Sequence, residues 1–178
     1  MMRWDGGWVA AARRVASPNF GARPQGAAVS LIVIHSISLP PGEYGGDAIE
    51  RLFTNRLDPD AHPYFREIEG LKVSAHFLVR RDGRVIQFVP VHRRAWHAGV
   101  SSWRGRSACN DFSIGVELEG TDDAPFEAAQ YLALGELIAR LRSALPLRDL
   151  AAHSDIAPGR KTDPGPGFAW DRVLSRLA

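Results

Sequence analysis

The 178-residue chain has a single cysteine, Cys109, only two lysines, Lys72 and Lys161, and no apolar run long enough to span a bilayer. One thiol excludes an internal disulfide and any multi-thiolate metal site. Cys109 is therefore expected to be a buried or half-buried free thiol, as suits a soluble protein of a reducing cytoplasm. A membrane helix needs about 18 unbroken apolar residues. The apolar run from Trp8 to Ala12 stops at Arg13-Arg14, too short for the hydrophobic part of an export signal. A dominant charge sign is missing too: 22 basic against 20 acidic residues give +2. Residues 1–24 carry +3 of this, which leaves the rest of the chain at −1. Lys and Arg never run beyond pairs, so the electrostatic footprint of a nucleic-acid binder is absent. Absent as well are a phosphate-binding glycine loop with its lysine, a G-x-S-x-G elbow, H-E-x-x-H and paired C-x-x-C.

What is present is ordinary globular composition, 45% apolar and 24% charged, without repeats or an evident linker. One domain over residues 1–178 is expected, with its core at about 12–170. Residues 1–28, rich in Gly, Ala and Pro, are expected to wrap the surface. The run VSLIVIH at 29–35 reads as a strand buried on both faces. A helix is expected over 47–55, after a Pro/Gly loop at 38–46. Residues 56–70, broken by Pro59 and Pro63, read as a long excursion, and this loop and the one at 38–46 are expected to act as lids, as long loops often do. The stretch SAHFLVRRDGRVIQFVP predicts a hairpin turning at Asp82-Gly83. Residues 112–119 alternate, with Phe112, Ile114, Val116 and Leu118 on one face and Ser113, Gly115, Glu117 and Glu119 on the other. A helix starting at Pro125 and running to about Ala144 places Leu134, Leu137, Ile138 and Leu141 on one side. A short strand at 148–152, a Pro/Gly loop at 157–167 and a last helix near 168–177 complete the chain. Strands interleaved with helices predict an α/β (α+β) domain around a central mixed sheet flanked by helices.

Two histidines stand at strand ends, His35 and His153, where sites in α/β sheets gather. Asp163 follows in KTDPGPG, with Pro164 biasing it toward extended backbone. Two imidazoles and a carboxylate around zinc would leave one position open for water, the catalytic arrangement. Histidines at strand ends also serve as hydrogen-bonded structure, and from the residues alone both readings stand. Of the other histidines, His62 and His92 read as surface, and His76 as core or as a partner to a ligand. Trp170 reads as packing.

The strings VIHSISLPPGEYGG, VSAHFLVRRDG, RAWHAGVSSW, CNDFSIGVELEGTD and HSDIAPGRKTDPGPGF occur in this order. They resemble the 1,6-anhydro-N-acetylmuramyl-L-alanine amidases of the AmpD type, zinc amidases related to phage lysozyme-type amidases and peptidoglycan-recognition proteins. The resemblance covers about residues 12–170. It implies one Zn2+ per chain held by His35, His153 and Asp163, with Glu117 and Lys161 as the catalytic pair. It implies an anhydro-muropeptide as substrate, cut between the muramyl group and L-alanine in cytoplasmic peptidoglycan recycling. The substrate-contacting set carried over is Ser36, Tyr44, Lys72, Trp96, His97 and Arg106, with the Trp96-His97-Ala98-Gly99 string lining the cleft.

Two departures from the family pattern stand out. Ser36 occupies a place where asparagine is expected. Lys72 and Ala108 occupy places where arginines are expected to grip the acidic end of the stem peptide, and neither offers a bidentate fork. Arg106 is close enough in sequence to substitute. The alternative from another class is a non-catalytic peptidoglycan-recognition module, which would lack a ligand or a catalytic residue. A wall-acting amidase would be expected to carry an export signal or wall-binding repeats.

Overall fold

The computed structural model describes residues 4–175. A six-stranded sheet forms the frame: β1 (Arg13–Arg14), β2 (Leu31–Ile37), β3 (Phe77–Val79), β4 (Val85–Gln87), β5 (Ser113–Glu119) and β6 (Asp149–Ala152). Its spatial order is β6-β2-β5-β3-β4-β1, parallel everywhere except at the β3–β4 hairpin. The helices are α1 (Ala48–Phe53), α2 (Pro63–Glu67), α3 (Ala128–Arg142), α4 (His153–Ile156) and α5 (Trp170–Leu174). The result is a mixed α/β domain with helices flanking a central sheet, as the alternation of elements predicts.

The long parallel strands sit at the centre because they are apolar on both faces. Ile32 and Ile34 of β2 and Ile114, Val116 and Leu118 of β5 pack on one side against Tyr131, Leu134, Leu137, Ile138 and Leu141 of α3. On the other side Leu31, Val33 and Ala151 meet Cys109, Phe112 and Ile156. A third cluster joins Leu78, Ile86 and Phe88 to Ile49, Leu52 and Phe53 of α1. Each fully buried Val, Leu, Ile or Phe among them contributes roughly 1.5–3 kcal/mol through its removal from water. The hairpin turns where expected: Gly83 has φ +84, and a Cβ there would lie 3.0 Å from the Ala129 carbonyl oxygen. Only glycine suits that backbone and that gap.

Several boundaries move for tertiary reasons. The long helix begins at Ala128 rather than at Pro125. Gln130 sets the start: its Oε1 accepts the Glu127 N–H, while its Nε2 donates to the carbonyls of Val79 and Glu119. The 56–70 excursion contains α2, with Pro63 at its start and the half-buried His62 as N-cap, its Nδ1 accepting from the Tyr64 N–H at 3.1 Å. The N-terminal segment does more than wrap the surface. Arg13–Arg14 extends the central sheet beside β4, and Phe20–Gly21 pairs with Arg94–Ala95. The alternating strand β5 is buried along its whole length, because β2 and β3 flank it and its polar face is covered. The last helix is shorter than expected, and residues 176 and 177 of that expectation lie outside the described residues. Cys109 is free and buried.

Candidate active site

Parallel pairing creates the site before any loop is considered. In the ladder between β5 and β2, Glu117 is opposite His35. In the ladder between β6 and β2, the last pair is Ala152 with Ile34, so His153 follows one step on, beside His35. Neighbours in register point to the same face. Three adjacent strands therefore deliver Glu117, His35 and His153 in one row. The 157–167 loop returns to this row, tied by the Ser154 N–H donating to the Asp163 carbonyl at 3.0 Å. A Cβ on Gly165 or Gly167 would collide at 2.4–2.5 Å with backbone atoms of Asp122 or Ala124. Glycine there lets the loop lie directly on the 121–124 segment.

Three ligand-type atoms converge. His35 Nδ1 lies 2.9 Å from His153 Nδ1 and 3.3 Å from Asp163 Oδ2, and His153 Nδ1 lies 3.0 Å from the same oxygen. For tetrahedral zinc with bonds of about 2.0 Å, ligand atoms are roughly 3.3 Å apart. The set fits such an ion in both donor chemistry and spacing, and these residues could hold a metal. Their protonation also suits it. Burial pushes His35 down to about 4, with the His153 charge lowering it further and Asp163 opposing. Burial would raise Asp163, but hydrogen bonding to His153 and His35 holds it well below the usual carboxylate range. A neutral imidazole and an ionised carboxylate are the forms that bind metal. The far nitrogens of both histidines are also engaged: His35 Nε2 is 2.9 Å from His97 Nδ1, and His153 Nε2 is 3.3 Å from the Ala98 carbonyl.

Two buried glutamates on β5 differ in a telling way. Glu119 is saturated: it accepts from the Gly45 and Arg81 N–H groups and pairs with Arg80 at 3.4 Å. Glu117 is also buried, yet its Oε2 has no partner. Burial and then the Asp163 charge push its carboxyl well above the usual range, with Lys161 opposing. Lys161 is exposed on the 157–167 loop, and its charge is felt at both Glu117 and His35.

The remaining expected residues are less concentrated. Ser36 alternates to the other side of β2 from His35 and donates to Asp122 Oδ1 at 3.0 Å. Tyr44 is exposed under the Arg81 guanidinium, 4.4 Å from its ring. Trp96 is half-buried, its backbone N–H donating to Ser74 Oγ. Lys72 is exposed at a separate cavity of about 100 Å³ beside Leu52 and Phe65. Arg106 stacks 3.8 Å over Phe112 and reaches Ser30, at the N-terminal end of β2 and away from its ligand-bearing half. His97, half-buried, has both ring nitrogens engaged by protein, the second with Ser113 Oγ at 3.1 Å. His76 is fully buried, its Nδ1 accepting from the Gly115 N–H. A cavity of about 550 Å³ between α3 and the β3–β4 hairpin is lined by none of these residues.

Sequence reasoning missed three contributors. Asn110 Oδ1 accepts the N–H groups of both His97 and Ala98, at 3.1 and 2.9 Å. Arg160 donates to the Ala98 carbonyl at 2.7 Å. Arg23 donates to the carbonyls of Asn110, Asp111, Val91 and Ser113, and burial pulls it down to about 10. Its isolation in a Gly/Pro-rich segment gave no sign of that role. Asn110 lies within the CNDFSIG string and was readable only as part of it.

Residues 25–166 match the N-acetylmuramoyl-L-alanine amidase family. The chain is 53% identical to the 1,6-anhydro-N-acetylmuramyl-L-alanine amidase AmpD of Escherichia coli over 173 residues, 96% of this chain and 94% of the relative. It is 55% identical to the AmpD of Citrobacter freundii over 173 residues, 96% of this chain and 92% of that one. The crystal structure of a selenomethionine AmpD derivative superposes with a TM-score of 0.96 at 53% identity, covering 99% of this chain and 100% of that one. The E. coli amidase AmiD, solved with anhydro-N-acetylmuramic acid-L-Ala-D-gamma-Glu-L-Lys, matches at a TM-score of 0.62 and 32% identity, over 87% of this chain and 60% of that one. The chain belongs to the N-acetylmuramoyl-L-alanine amidase family.

Proposed function

We propose that the chain hydrolyses the amide between 1,6-anhydro-N-acetylmuramic acid and the L-alanine of its stem peptide, with one zinc ion held by His35, His153 and Asp163. The observation that carries this reading is the convergence of two imidazole nitrogens and one carboxylate oxygen beside a buried glutamate with an unpartnered oxygen. The names of the full-length relatives and the ligand of the AmiD structure support the substrate class.

Bound zinc would supply Lewis acidity, lowering the pKa of water toward neutrality and polarising a carbonyl. Glu117 handles protons: its free Oε2 takes one from the attacking water and returns it to the departing alanine nitrogen. Burial raises that carboxyl well above the usual range, which favours its holding the proton between the two transfers. The Lys161 ammonium provides positive charge where the lactyl carbonyl oxygen becomes negative, and removing one such donor costs roughly 3–4 kcal/mol in the transition state. Trp96 and Tyr44 offer aromatic surface for the sugar and peptide; Arg106 and Lys72, which lie at separate cavities, are left out of the substrate-contacting set. The recycling role places the reaction in the cytoplasm, where the free Cys109 thiol is at home.

The test is turnover of anhydro-muramyl-tripeptide before and after chelation, with zinc then added back. Activity lost to the chelator and restored by about one zinc per chain is the expected result. No turnover by protein carrying tightly bound zinc would favour a recognition module or another muropeptide.

A further inference from the structure

Both histidine ligands present Nδ1 to the metal position, so each carries its proton on Nε2 when an ion is bound. Each of those N–H groups is enclosed and needs an acceptor. The two acceptors are consecutive residues of one segment: the His97 ring for His35 and the Ala98 carbonyl for His153. That segment is itself fastened. Asn110 Oδ1 accepts both of its backbone N–H groups, and Arg160 grips the Ala98 carbonyl from outside. The His97 ring lies directly on β5, where a Cβ on Gly115 would be 2.4 Å from His97 Cγ.

We propose that residues 97–98 form a bracket that orients both histidine ligands, and that His97 is its positioning residue. The inference rests on the metal reading above. Direction matters in this chain of bonds. If His97 donated from Nδ1 to His35, the His35 proton would move to its own Nδ1, the atom required by the metal. His97 must therefore accept at Nδ1 and carry its proton on Nε2, which faces Ser113 Oγ. Outer partners of this kind set ligand tautomer and orientation, and losing one typically weakens metal binding about 10–100-fold.

The experiment measures zinc affinity of the full chain by competition with a chelating dye, for wild type and three variants. His97→Ala should bind zinc about 10–100-fold more weakly. His97→Asn, whose Oδ1 takes the place of Nδ1, should recover most of the affinity. His97→Phe, which fills the volume without an acceptor, should be as weak as alanine. Wild-type affinity in the alanine variant, or equal rescue by phenylalanine and asparagine, overturns the bracket. A measurement independent of variant folding is the tautomer of His97 in zinc-loaded wild type, read from long-range 1H–15N NMR correlations. A proton on Nε2 alone is expected, and a proton on Nδ1 overturns the proposal. Wild type that binds no zinc would instead overturn the metal reading itself, which keeps the two failures distinct.

Discussion

At the scale of single residues, the contrast between Glu117 and Glu119 separates function from architecture. They are two positions apart on one strand and both buried, but Glu119 has its partners and Glu117 does not. Replacing Glu117 by glutamine should leave zinc content at wild type and reduce turnover about 10²–10⁴-fold, the usual worth of a positioned acid-base group. Lys161→Met should likewise keep the metal and lose about 10²–10³-fold in kcat. Metal analysis beside steady-state rates checks both, and near wild-type turnover in either variant removes that residue from the chemistry. His35→Ala should behave differently, losing the metal together with the activity. Sequence reading reached His35 as a histidine at a strand end, and Glu117 and Lys161 only through the family strings. It could not see the orphaned oxygen, which depends on what the neighbouring strands and loops leave unpaired.

At the scale of elements, the site is held by junctions more than by the elements themselves. Gln130 ties α3 to the ends of β3 and β5 while capping its own helix. Gln130→Ala leaves buried carbonyls without donors and should cost about 1–3 kcal/mol in urea unfolding. Leu134→Ala, at a fully buried position of α3, should cost about 2–5 kcal/mol by the same measurement. Gly165 has φ +78 and no room for a Cβ against Asp122. Gly165→Ala should therefore lift the Asp163 loop, lowering stability by about 1–3 kcal/mol. Equal stability of this variant and wild type would show that the 121–124 segment yields instead. The hairpin at Asp82-Gly83, the central strands and α3 were all legible, because period and turn chemistry are local. The start of α3 was not, because the cap that defines it is chosen by contacts to two distant strands.

At the scale of the whole molecule, the fold encloses histidines in neutral form and should be acid-sensitive for that reason. Burial, reinforced by the Arg23 charge, pushes His76 down to about 3, and burial pushes His35 down to about 4. An unfolded histidine titrates near 6.5, so below that pH the unfolded chain binds more protons than the folded one. Stability of the metal-free protein should fall as pH drops from about 6.5 toward 3–4, and hold above that window. Urea midpoints across pH 3–8 give the measurement. His76→Gln, which cannot take up a proton, should flatten the profile; an unchanged slope would place the acid sensitivity elsewhere. No helix among the described residues is long and apolar enough to cross a membrane.

The sequence by itself determined the α/β alternation, the central strands and the hairpin, because composition, periodicity and turn residues act over a few positions; for His35, His153 and Asp163 it left a metal site and a hydrogen-bonded structural role both open. The family strings added Glu117 and Lys161. Only the tertiary structure decided that His35 and His153, 118 residues apart, meet at 2.9 Å, since that depends on the register of three parallel strands. It also decided that Lys72 and Arg106 lie at separate cavities, and that His97 stands behind a ligand-type histidine with both nitrogens engaged. Side-chain direction on a strand follows from pairing, and pairing is a property of the folded sheet, not of any one segment.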